Sequence, residues 1–391
     1  MEPLSILQDL ISIPSVNPMG RDLTGPEYFE GRLSDFLCRF FEQLRVPFER
    51  IPVVPGRDNV IARFDQPDAK TTVIMDAHQD TVPVDGMTID PFKPVIRDGR
   101  IYGRGACDVK GGMAAMLAAF ARLVLTRPAH SANVIMSCTC DEESTILGIS
   151  DLVKLWTVPG RHSKLIPKAP DVAVVAEPTD LDIVVAHRGA TRWVLKTTGR
   201  ACHSSRPQDG INAIYRMAQV LLALEEYNVQ LEHLVKPHPL CGPATLSVGR
   251  IEGGISVNTV PDVCTIEIDR RVVPGENGLA VIDDIARFLK QRVAFDVEML
   301  PPWLTGCSLD DSINGAWSDR LMEHIAAVAG PHRKVGVAYG THASRFSSVG
   351  IPSMVFGPGS IQQAHTKDEW LDIGELDLAS EVYYRFCSTA G

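Results

Sequence analysis

Apolar residues recur at helical spacing in three stretches of the first half of the chain. A short stripe over residues 4–11 ends before Pro14, a longer one covers residues 33–44, and an alanine-rich helix is predicted over about 111–125. Short apolar runs, which predict buried strands, lie at 59–64, 72–75, 133–138 and 172–176. Strands that alternate with helices in this way indicate an α/β fold.

The pattern changes from about residue 190. The next elements are predicted in the order strand, helix, strand, strand, helix, strand, at 192–198, 212–224, 244–251, 263–272, 278–292 and 295–299. That order is typical of a ferredoxin-like α+β unit. A helix at 317–329 and a strand at 353–356 then resume the first pattern. We therefore predict one domain made of residues 1–188 and 301–391, with a second domain of residues 189–300 inserted into it.

Composition narrows the class of protein. The chain has 391 residues, of which 45% are apolar and 22% charged, as expected for a soluble globular protein. Its formal charge of −10 argues against nucleic acid and membrane partners. The longest apolar stretch, 114–124, is short for a membrane span and contains Arg122. Nine cysteines without CxxC spacing fit free thiols, so we expect a cytoplasmic protein.

Side chains that can bind metals follow the predicted strands of the first domain. His78 and Asp80 come after the second of these strands, Glu142 and Glu143 after the third, and Glu177 after the fourth. In open α/β sheets the functional site lies outside the carboxyl ends of the strands. We therefore expect these side chains to converge at one edge of the sheet.

Two of the candidate ligands have alternative roles. His78 and Asp80 are two residues apart in extended chain and face the same side, so the Asp80 carboxylate is expected to accept the second N–H of the imidazole. Asp108 stands in a glycine-rich stretch just before the alanine-rich helix. It is either the N-cap of that helix or a carboxylate that bridges two metal ions about 3.5–4 Å apart.

The adjacent Glu142 and Glu143 would repel each other unless cations lie nearby or the pair is a solvated acidic turn. With one glutamate on a metal, the other can remove a proton from a metal-bound water. His365 completes a set sufficient for two sites that share Asp108, namely His78, Asp108, Glu143, Glu177 and His365. Imidazole and carboxylate ligands without thiolate suit Zn most, with Co or Mn as alternatives.

With these residues, the chain resembles the M20 metallopeptidases, specifically the acetylornithine deacetylase and succinyl-diaminopimelate desuccinylase group. The matching stretches are IPSVNP (13–18), AHQD (77–80), GRGACD (103–108), DEE (141–143), AEPT (176–179), GRACHSS (199–205), GG (253–254), NTVP (258–261) and His365. The resemblance implies a metallo-exopeptidase-like catalytic domain, with a mixed central sheet flanked by helices, and an inserted lid domain through which the protein forms a homodimer.

The same resemblance implies roles for individual residues. The five ligands named above match metal ligands of the family, with Asp108 as the bridge, Glu142 as the general base and Asp80 as the residue that orients His78. His203 matches a histidine that the lid delivers to the active site of the other subunit, where it would stabilise the oxyanion.

In relatives, an arginine and an asparagine on the lid bind the substrate carboxylate. They correspond here to Arg271 and Asn258, with main chain from Gly359. A guanidinium binds a carboxylate bidentately, and Arg270 is the rival for this role. One departure from the family lies at residues 340–345, which read GTHASR. We expect His342 and Arg345 from this stretch to line the substrate pocket, which leaves the acyl and amino acid preference open.

The expected reaction is hydrolysis of an N-acyl amino acid such as N-acetylornithine, in which a metal-bridging water, deprotonated by Glu142, attacks the amide carbonyl. The main alternatives are desuccinylase activity, as on succinyl-diaminopimelate, and dipeptidase or carboxypeptidase activity. A non-catalytic homologue that binds a metabolite would be expected to lack the base or a ligand, and this chain keeps them all. A structural protein with a solvated acidic rim would have to bring five metal-capable side chains together by coincidence.

Overall fold

The structure is a computed structural model that describes residues 1–391. The chain forms two compact units: the first comprises residues 1–185, 311–335 and 341–391, and the second comprises residues 186–310 and 336–340. The second unit thus extends past the predicted end of the insertion at residue 300 and includes a short later segment. No helix combines the length and the apolar character that crossing a bilayer requires.

Helices and strands are numbered in chain order through both units. The helices are α1 (Pro3–Ser12), α2 (Gly31–Gln43), α3 (Lys110–Thr126), α4 (Leu147–Leu152), α5 (Lys154–Thr157), α6 (Ala213–Leu234), α7 (Ala280–Lys290), α8 (Gly315–Val328), α9 (Ala343–Ser348) and α10 (Ile373–Thr389). A short 3₁₀ turn covers Pro207–Asp209.

The strands of the first half are β1 (Phe48–Val54), β2 (Arg57–Phe64), β3 (Thr72–His78), β4 (Val95–Arg97), β5 (Arg100–Tyr102), β6 (Asn133–Thr139), β7 (Val172–Val175), β8 (Ile183–His187) and β9 (Gly189–Thr198). Those of the second half are β10 (Cys202–His203), β11 (Thr245–Gly253), β12 (Thr259–Val260), β13 (Val263–Val272), β14 (Val297–Met299), β15 (Leu304–Thr305), β16 (Lys334–Val337), β17 (Ser353–Val355) and β18 (Trp370–Asp372).

An eight-stranded mixed sheet organises the first unit. Its strand order is β1-β2-β6-β3-β7-β17-β8-β16. The neighbours β6, β3, β7 and β17 run parallel, whereas β1–β2, β2–β6 and β17–β8 are antiparallel pairs. Every residue of β3 is buried, as expected for a central parallel strand that is covered on both faces. The carboxyl ends of β3, β6 and β7 therefore open on the same edge of the sheet.

The helix α3 is the centre of the packing on this sheet. Thirteen of its 17 residues are buried, and seven of those thirteen are alanine or glycine. Small side chains let neighbouring helices approach closely, and α3 packs against both α1 and α10. The main apolar core, which includes Leu37, Phe41, Phe120, Met354 and Tyr383, is continuous from these helices into the sheet. The start of α3, where Asp108 stands, is thereby fixed against a rigid core.

The second unit is built on a five-stranded antiparallel sheet, in which β11, β13, β9 and β14 are neighbours in that order and β15 also pairs with β9. Along the chain, β9, α6, β11, β13, α7 and β14 follow one another in the β-α-β-β-α-β order of the ferredoxin-like unit. A separate apolar core around Trp193, Met217, Tyr227 and Ile285 lies between this sheet and its two helices. The unit therefore has a core of its own.

The predicted fold class, a mixed α/β sheet flanked by helices with an inserted α+β unit, is confirmed. The predicted apolar runs coincide with β2, β3, β6 and β7, and the alanine-rich segment coincides with α3. The pattern of apolar residues did not reveal β1, β8 and β16 in the main sheet, nor the small sheet of β4, β5 and β18.

Candidate metal centre and active site

The candidate ligands reach one edge of the main sheet by different routes. His78 is the last residue of β3, and Glu143 and Glu177 follow β6 and β7 within a few residues. Asp108 precedes α3, and His365 lies in the loop between β17 and β18. Because β3, β6 and β7 are parallel, their carboxyl ends bring the first three residues to the same place.

Asp108 stands between the two histidines. Its Oδ1 is 3.2 Å from Nε2 of His78, and its Oδ2 is 3.3 Å from Nε2 of His365. The same His365 nitrogen lies 3.2 Å from Oε2 of Glu143. One potential ligand atom from each of His78, Asp108 and Glu143 can be chosen so that all three atoms lie within 4.8 Å of one another. The two oxygens of Asp108 thus face different histidines, which is the arrangement that a bridging carboxylate requires.

The carboxylates of this cluster carry more negative charge than the protein compensates. Burial and the neighbouring acids raise the pKa of Glu142 to about 8 and that of Glu143 to about 7. Burial, together with the charges of Asp108 and Glu142, also holds the pKa of Glu177 well above its usual value. In a metal-free centre these acids would therefore retain protons near neutral pH. A positive charge nearby would lower these pKa values and favour the ionised carboxylates.

The two histidines respond to the same field in the opposite direction. Hydrogen bonds to Asp108 and Glu143 raise the pKa of His365 to about 10. Burial alone would lower the pKa of His78, but its hydrogen bond with Asp108 and the charges of Glu142 and Glu177 raise it well above the usual value. The centre without metal is consequently a proton-rich cluster. Divalent cations would displace those protons.

The residues fit two divalent cations that share Asp108. Oε1 of Glu143 is buried and has no hydrogen-bond partner, which is rare for a buried carboxylate oxygen and leaves it available to a cation. The neighbouring thiol of Cys107 instead contacts the carbonyl oxygen of Ser360. The donor set therefore contains only imidazole nitrogens and carboxylate oxygens, as the sequence predicted, and suits Zn, Co or Mn.

Asp80 contacts His78 in a different way from the one expected. Nδ1 of His78 lies 2.9 Å from the main-chain oxygen of Asp80, whereas the nearest carboxylate oxygen is 3.7 Å away. The carboxylate instead accepts the main-chain N–H groups of Glu142 at 3.0 Å and Glu143 at 3.1 Å, and the amide of Asn17 at 2.8 Å. The Asp80 side chain therefore fixes the main chain at Glu142 and Glu143, and its carbonyl contacts the histidine.

A buried ion network behind Asp80 was not predicted from the sequence. The guanidinium of Arg57 donates to Glu30 and to Asp141, and Asn17 donates to Asp141 at 2.9 Å. Asp141 has a positive φ of 62°, so this turn depends on such fixation. The network ties the end of β6 to the residues before α2. Because its members are far apart in sequence, no local pattern revealed it.

The expectation for His342 needs correction. Its side chain is only 1% exposed, and Nδ1 lies 2.9 Å from Oδ2 of Asp76 and 3.2 Å from Oγ1 of Thr139. Its ring is inclined at 73° to that of His78, with 6.3 Å between the centroids. His342 is therefore part of a buried pair with Asp76 beside the metal centre rather than an exposed pocket residue. Arg345 lies on α9 and is partly buried.

Four predicted substrate residues belong to the second unit. The imidazole of His203 is exposed and lies 2.8 Å from the hydroxyl of Ser205. Asn258 is also exposed. Arg271 pairs with Asp269, while Arg270 is buried and pairs with Glu276. Of the two arginines, Arg271 is thus the one with an accessible guanidinium.

Gly359 lies in the loop after β17 in a left-handed conformation, with φ of +88°. A Cβ at this position would come within 2.6 Å of Sγ of Cys107 and 2.8 Å of Leu371. Its N–H donates to Glu375 at 2.7 Å. The loop requires glycine here for both conformation and space, and the glycine N–H is already occupied by a protein carboxylate.

The site belongs to the class of metal-dependent hydrolases that cleave amide bonds. Residues 74–389 match the model of peptidase family M20/M25/M40, and the chain belongs to this family. It is 31% identical over 373 residues to an acetylornithine deacetylase of Pasteurella multocida, which covers 91% of each chain. It is 30% identical over 393 residues to an acetylornithine deacetylase of Vibrio campbellii, covering 98% of this chain and 97% of that protein.

Solved structures share the fold over nearly the whole chain. An M20 family metallo-carboxypeptidase from Sulfolobus solfataricus has a TM-score of 0.80 at 20% identity, covering 100% of this chain and 99% of that one. A dinuclear metal binding peptidase of the M20 family from Bacillus subtilis has a TM-score of 0.70 at 18% identity, covering 99% and 96%. At these identities the likeness establishes the fold and leaves the substrate to other arguments.

Proposed function

We propose that this enzyme deacylates an N-acyl amino acid in the manner of acetylornithine deacetylase. The observation that carries the proposal is the arrangement around Asp108, in which a paired set of histidine and carboxylate ligands lies beside an additional glutamate, Glu142. Relatives that bear the name acetylornithine deacetylase align at about the same length and 30% identity. A chain that retains every ligand and the base is equipped for hydrolysis.

Two zinc ions are proposed as the cofactors, with cobalt or manganese as functional substitutes. His78 and Glu177 would hold one ion, His365 and Glu143 the other, and Asp108 would contact both. This assignment is supported by Asp108, because its two carboxylate oxygens contact different histidines. When bound, such a pair of cations polarises a substrate carbonyl and lowers the pKa of water at the centre.

Glu142 is proposed as the general base. Its main-chain N–H is held by Asp80, and its pKa of about 8 in the metal-free centre reflects surroundings that favour proton uptake. Its carboxylate would take a proton from the attacking water as the new C–O bond forms at the amide carbon. It would then pass that proton to the amide nitrogen as the C–N bond breaks, so that the amine leaves neutral and the base is regenerated.

His203 is proposed to stabilise the oxyanion. Arg271, with Asn258 and the main chain near Gly359, is proposed to bind the substrate carboxylate. The exposed imidazole of His203 and the accessible guanidinium of Arg271 support these roles, because each retains donors that can reach a ligand. Arg270 is committed to Glu276, which argues against it as the carboxylate ligand. Arg345 remains a proposed neighbour of the substrate.

A homodimer through the second unit is also proposed. Tyr215, Leu222 and Val229 are 72%, 68% and 70% exposed, and they recur every seven residues along one side of α6. Beside them in the same unit, β11 is an edge strand and carries Ile251, which is 54% exposed. An apolar stripe, together with a strand whose outer edge has no neighbouring strand, is a surface that a second copy can cover.

Light scattering after gel filtration tests the dimer. A Leu222→Glu enzyme is expected to elute as a monomer because it places a charge in the apolar stripe. Leu125→Glu provides a matched control, since Leu125 is 67% exposed on α3 in the first unit. A dimer that survives Leu222→Glu would rule out this surface.

A cytoplasmic location is proposed from the cysteines. None of the nine takes part in a disulfide, and six of them are buried. Proteins of oxidising compartments tend to pair their cysteines, whereas free thiols are usual in the reducing cytosol.

The decisive experiment measures amine release from N-acetyl, N-succinyl and dipeptide substrates by the zinc-loaded enzyme, beside Glu142→Ala. We expect turnover of N-acetyl amino acids, and a loss of about 10²–10⁴-fold in kcat in the variant with both metals still bound. Turnover restricted to N-succinyl substrates or to dipeptides would replace deacetylation by the corresponding activity. Full activity in the variant would remove Glu142 from the mechanism.

A further inference from the structure

Glu369 is a fully buried carboxylate that has no assigned role, yet it contacts the loop of the bridging ligand. It lies four residues after His365, immediately before β18. Its Oε1 accepts the main-chain N–H of Cys107 at 2.8 Å and that of Asp108 at 2.9 Å. Its Oε2 accepts the N–H of Gly105 at 3.1 Å and a guanidinium N–H of Arg104 at 2.7 Å. Both oxygens are therefore fully used within one loop.

The loop from Gly103 to Asp108 has no strand or helix to fix its shape. Gly105 has a φ of +82°, and a Cβ there would come within 2.9 Å of the side chains of Lys110 and Thr81. The main-chain N–H groups of this loop converge instead on the Glu369 carboxylate, in the way that such groups enclose an anion. The position of Asp108 therefore depends on a charge supplied by a segment 261 residues away.

The same short segment also supplies a ligand. Nε2 of His365 contacts both Asp108 and Glu143. The segment is held in place by the N–H of Gly103, which donates to the main-chain oxygen of Glu369 at 3.1 Å, and by the N–H of Thr88, which donates to that of Lys367 at 2.9 Å. One loop thus carries a terminal ligand at one end and fixes the bridging ligand at the other.

We propose that Glu369 is a positioning residue that links the two metal sites through Asp108. The proposal rests on the two-metal centre proposed above. Because Asp108 contributes to both sites, a change at Glu369 acts on both at once, whereas a change at His365 removes a terminal ligand from one site. Partners that orient metal ligands typically contribute 10–100-fold to metal affinity.

The test measures zinc binding to the metal-free enzyme by calorimetry with a competing chelator, without substrate. For Glu369→Gln we expect both binding events to weaken, each by about 10–100-fold. For His365→Ala we expect one event to be lost while the other stays within about threefold of wild type. Glu276→Gln is the matched control, because Glu276 also accepts an arginine and a main-chain N–H, from Arg270 and Val273, but lies in the second unit. It is expected to leave both affinities unchanged.

A second variant and a second readout keep the proposal testable if Glu369→Gln folds poorly. Glu369→Asp retains the charge but is one methylene shorter, so it cannot reach all four donors, and it is expected to weaken both events by a similar factor. The visible spectrum of the cobalt-loaded variant should change for both ions, a result that general destabilisation alone would not produce. Wild-type affinities, or a loss confined to one event, would overturn the proposal. Because no substrate is present, that outcome is separate from any failure to find deacylase activity.

Discussion

Replacing Asp80 by asparagine separates two ways in which this residue can act. Its carboxylate receives three N–H groups: Oδ1 takes that of Glu142, and Oδ2 takes those of Glu143 and Asn17. Its contact with His78 is made by the main-chain oxygen, which the substitution keeps. The structure therefore predicts an effect on Glu142, the proposed base, and not on the orientation of His78.

The magnitude follows from those three hydrogen bonds. An asparagine with its oxygen at the Oδ2 position would keep two of them, but its NH₂ group would then face the N–H of Glu142. One hydrogen bond to a charged acceptor contributes about 1.5–3 kcal/mol, so the free energy of unfolding should fall by about 2–3 kcal/mol. Displacement of the proposed base by about 1 Å should lower kcat by about 100-fold.

The assay combines steady-state kinetics, zinc content by mass spectrometry and chemical denaturation. Asp80→Asn should bind two zinc ions with near wild-type affinity while kcat falls. Asp85→Asn is the matched control, since Asp85 follows on the same loop, is 74% exposed and pairs with Arg21. It should leave kcat unchanged. A tenfold or larger loss of zinc affinity in Asp80→Asn would refute the reasoning and restore the carboxylate as the orienter of His78.

Three further predictions follow from buried groups. Because metal-free His365 has a pKa of about 10, zinc binding near pH 7 should release its proton, and the affinity for zinc should rise with pH. Calorimetry in buffers of different ionisation enthalpy measures the number of protons released on zinc binding. That number should be lower by one for His365→Gln, and an equal number in both proteins would contradict the prediction. Burial lowers the pKa of Lys110 to about 7, so between about pH 7 and 10.5 the unfolded chain binds a proton at this lysine that the folded chain lacks, and Lys110 contributes up to about +1.4 kcal/mol per pH unit to the slope of metal-free stability; in denaturation curves measured side by side, the slope of Lys110→Met should lie below that of wild type by up to this amount, and equal slopes would contradict it. His342→Leu should cost about 3–5 kcal/mol because it leaves the Asp76 carboxylate buried and unpaired, and His342→Leu combined with Asp76→Leu should recover most of that loss; no recovery would mean that the pair is not the cause.

The parts of the fold that the sequence predicted have strong local signals. Continuous apolar runs marked β3, β6 and β7, and small residues at helical spacing marked α3. Most of the strands that were missed are short or half-exposed: β1 and β16 contain no fully buried residue, and β4, β5 and β18 have three residues each, whereas β8 is an exception whose five residues are all buried. Such strands depend on their partners in the sheet. The helix α10 did carry a detectable pattern of buried residues every three or four positions.

Three of the candidate ligands, His78, Glu143 and Glu177, could be selected from the sequence because they stand at or just after the ends of predicted strands. The contacts around them could not, because they join distant parts of the chain. His342 and Asp76 are 266 residues apart, and nothing near either one indicates the other. The role of the Asp80 carboxylate depended on a choice between a side-chain oxygen and a main-chain oxygen, which the spacing of two residues does not decide.

The position of β17 between β7 and β8 has a consequence for how the chain reaches its native state. The whole of the inserted unit and α8 separate β7 from β17 along the chain. While the polypeptide is being synthesised, β7 therefore leaves the ribosome long before the strand that covers its open side. Unpaired strand edges promote aggregation and distant pairings form slowly, so we expect the nascent protein to need protection during this interval. The inserted unit, with a core of its own, can fold meanwhile, and the candidate ligand His365 can join the others only later, because it follows β17 in the chain.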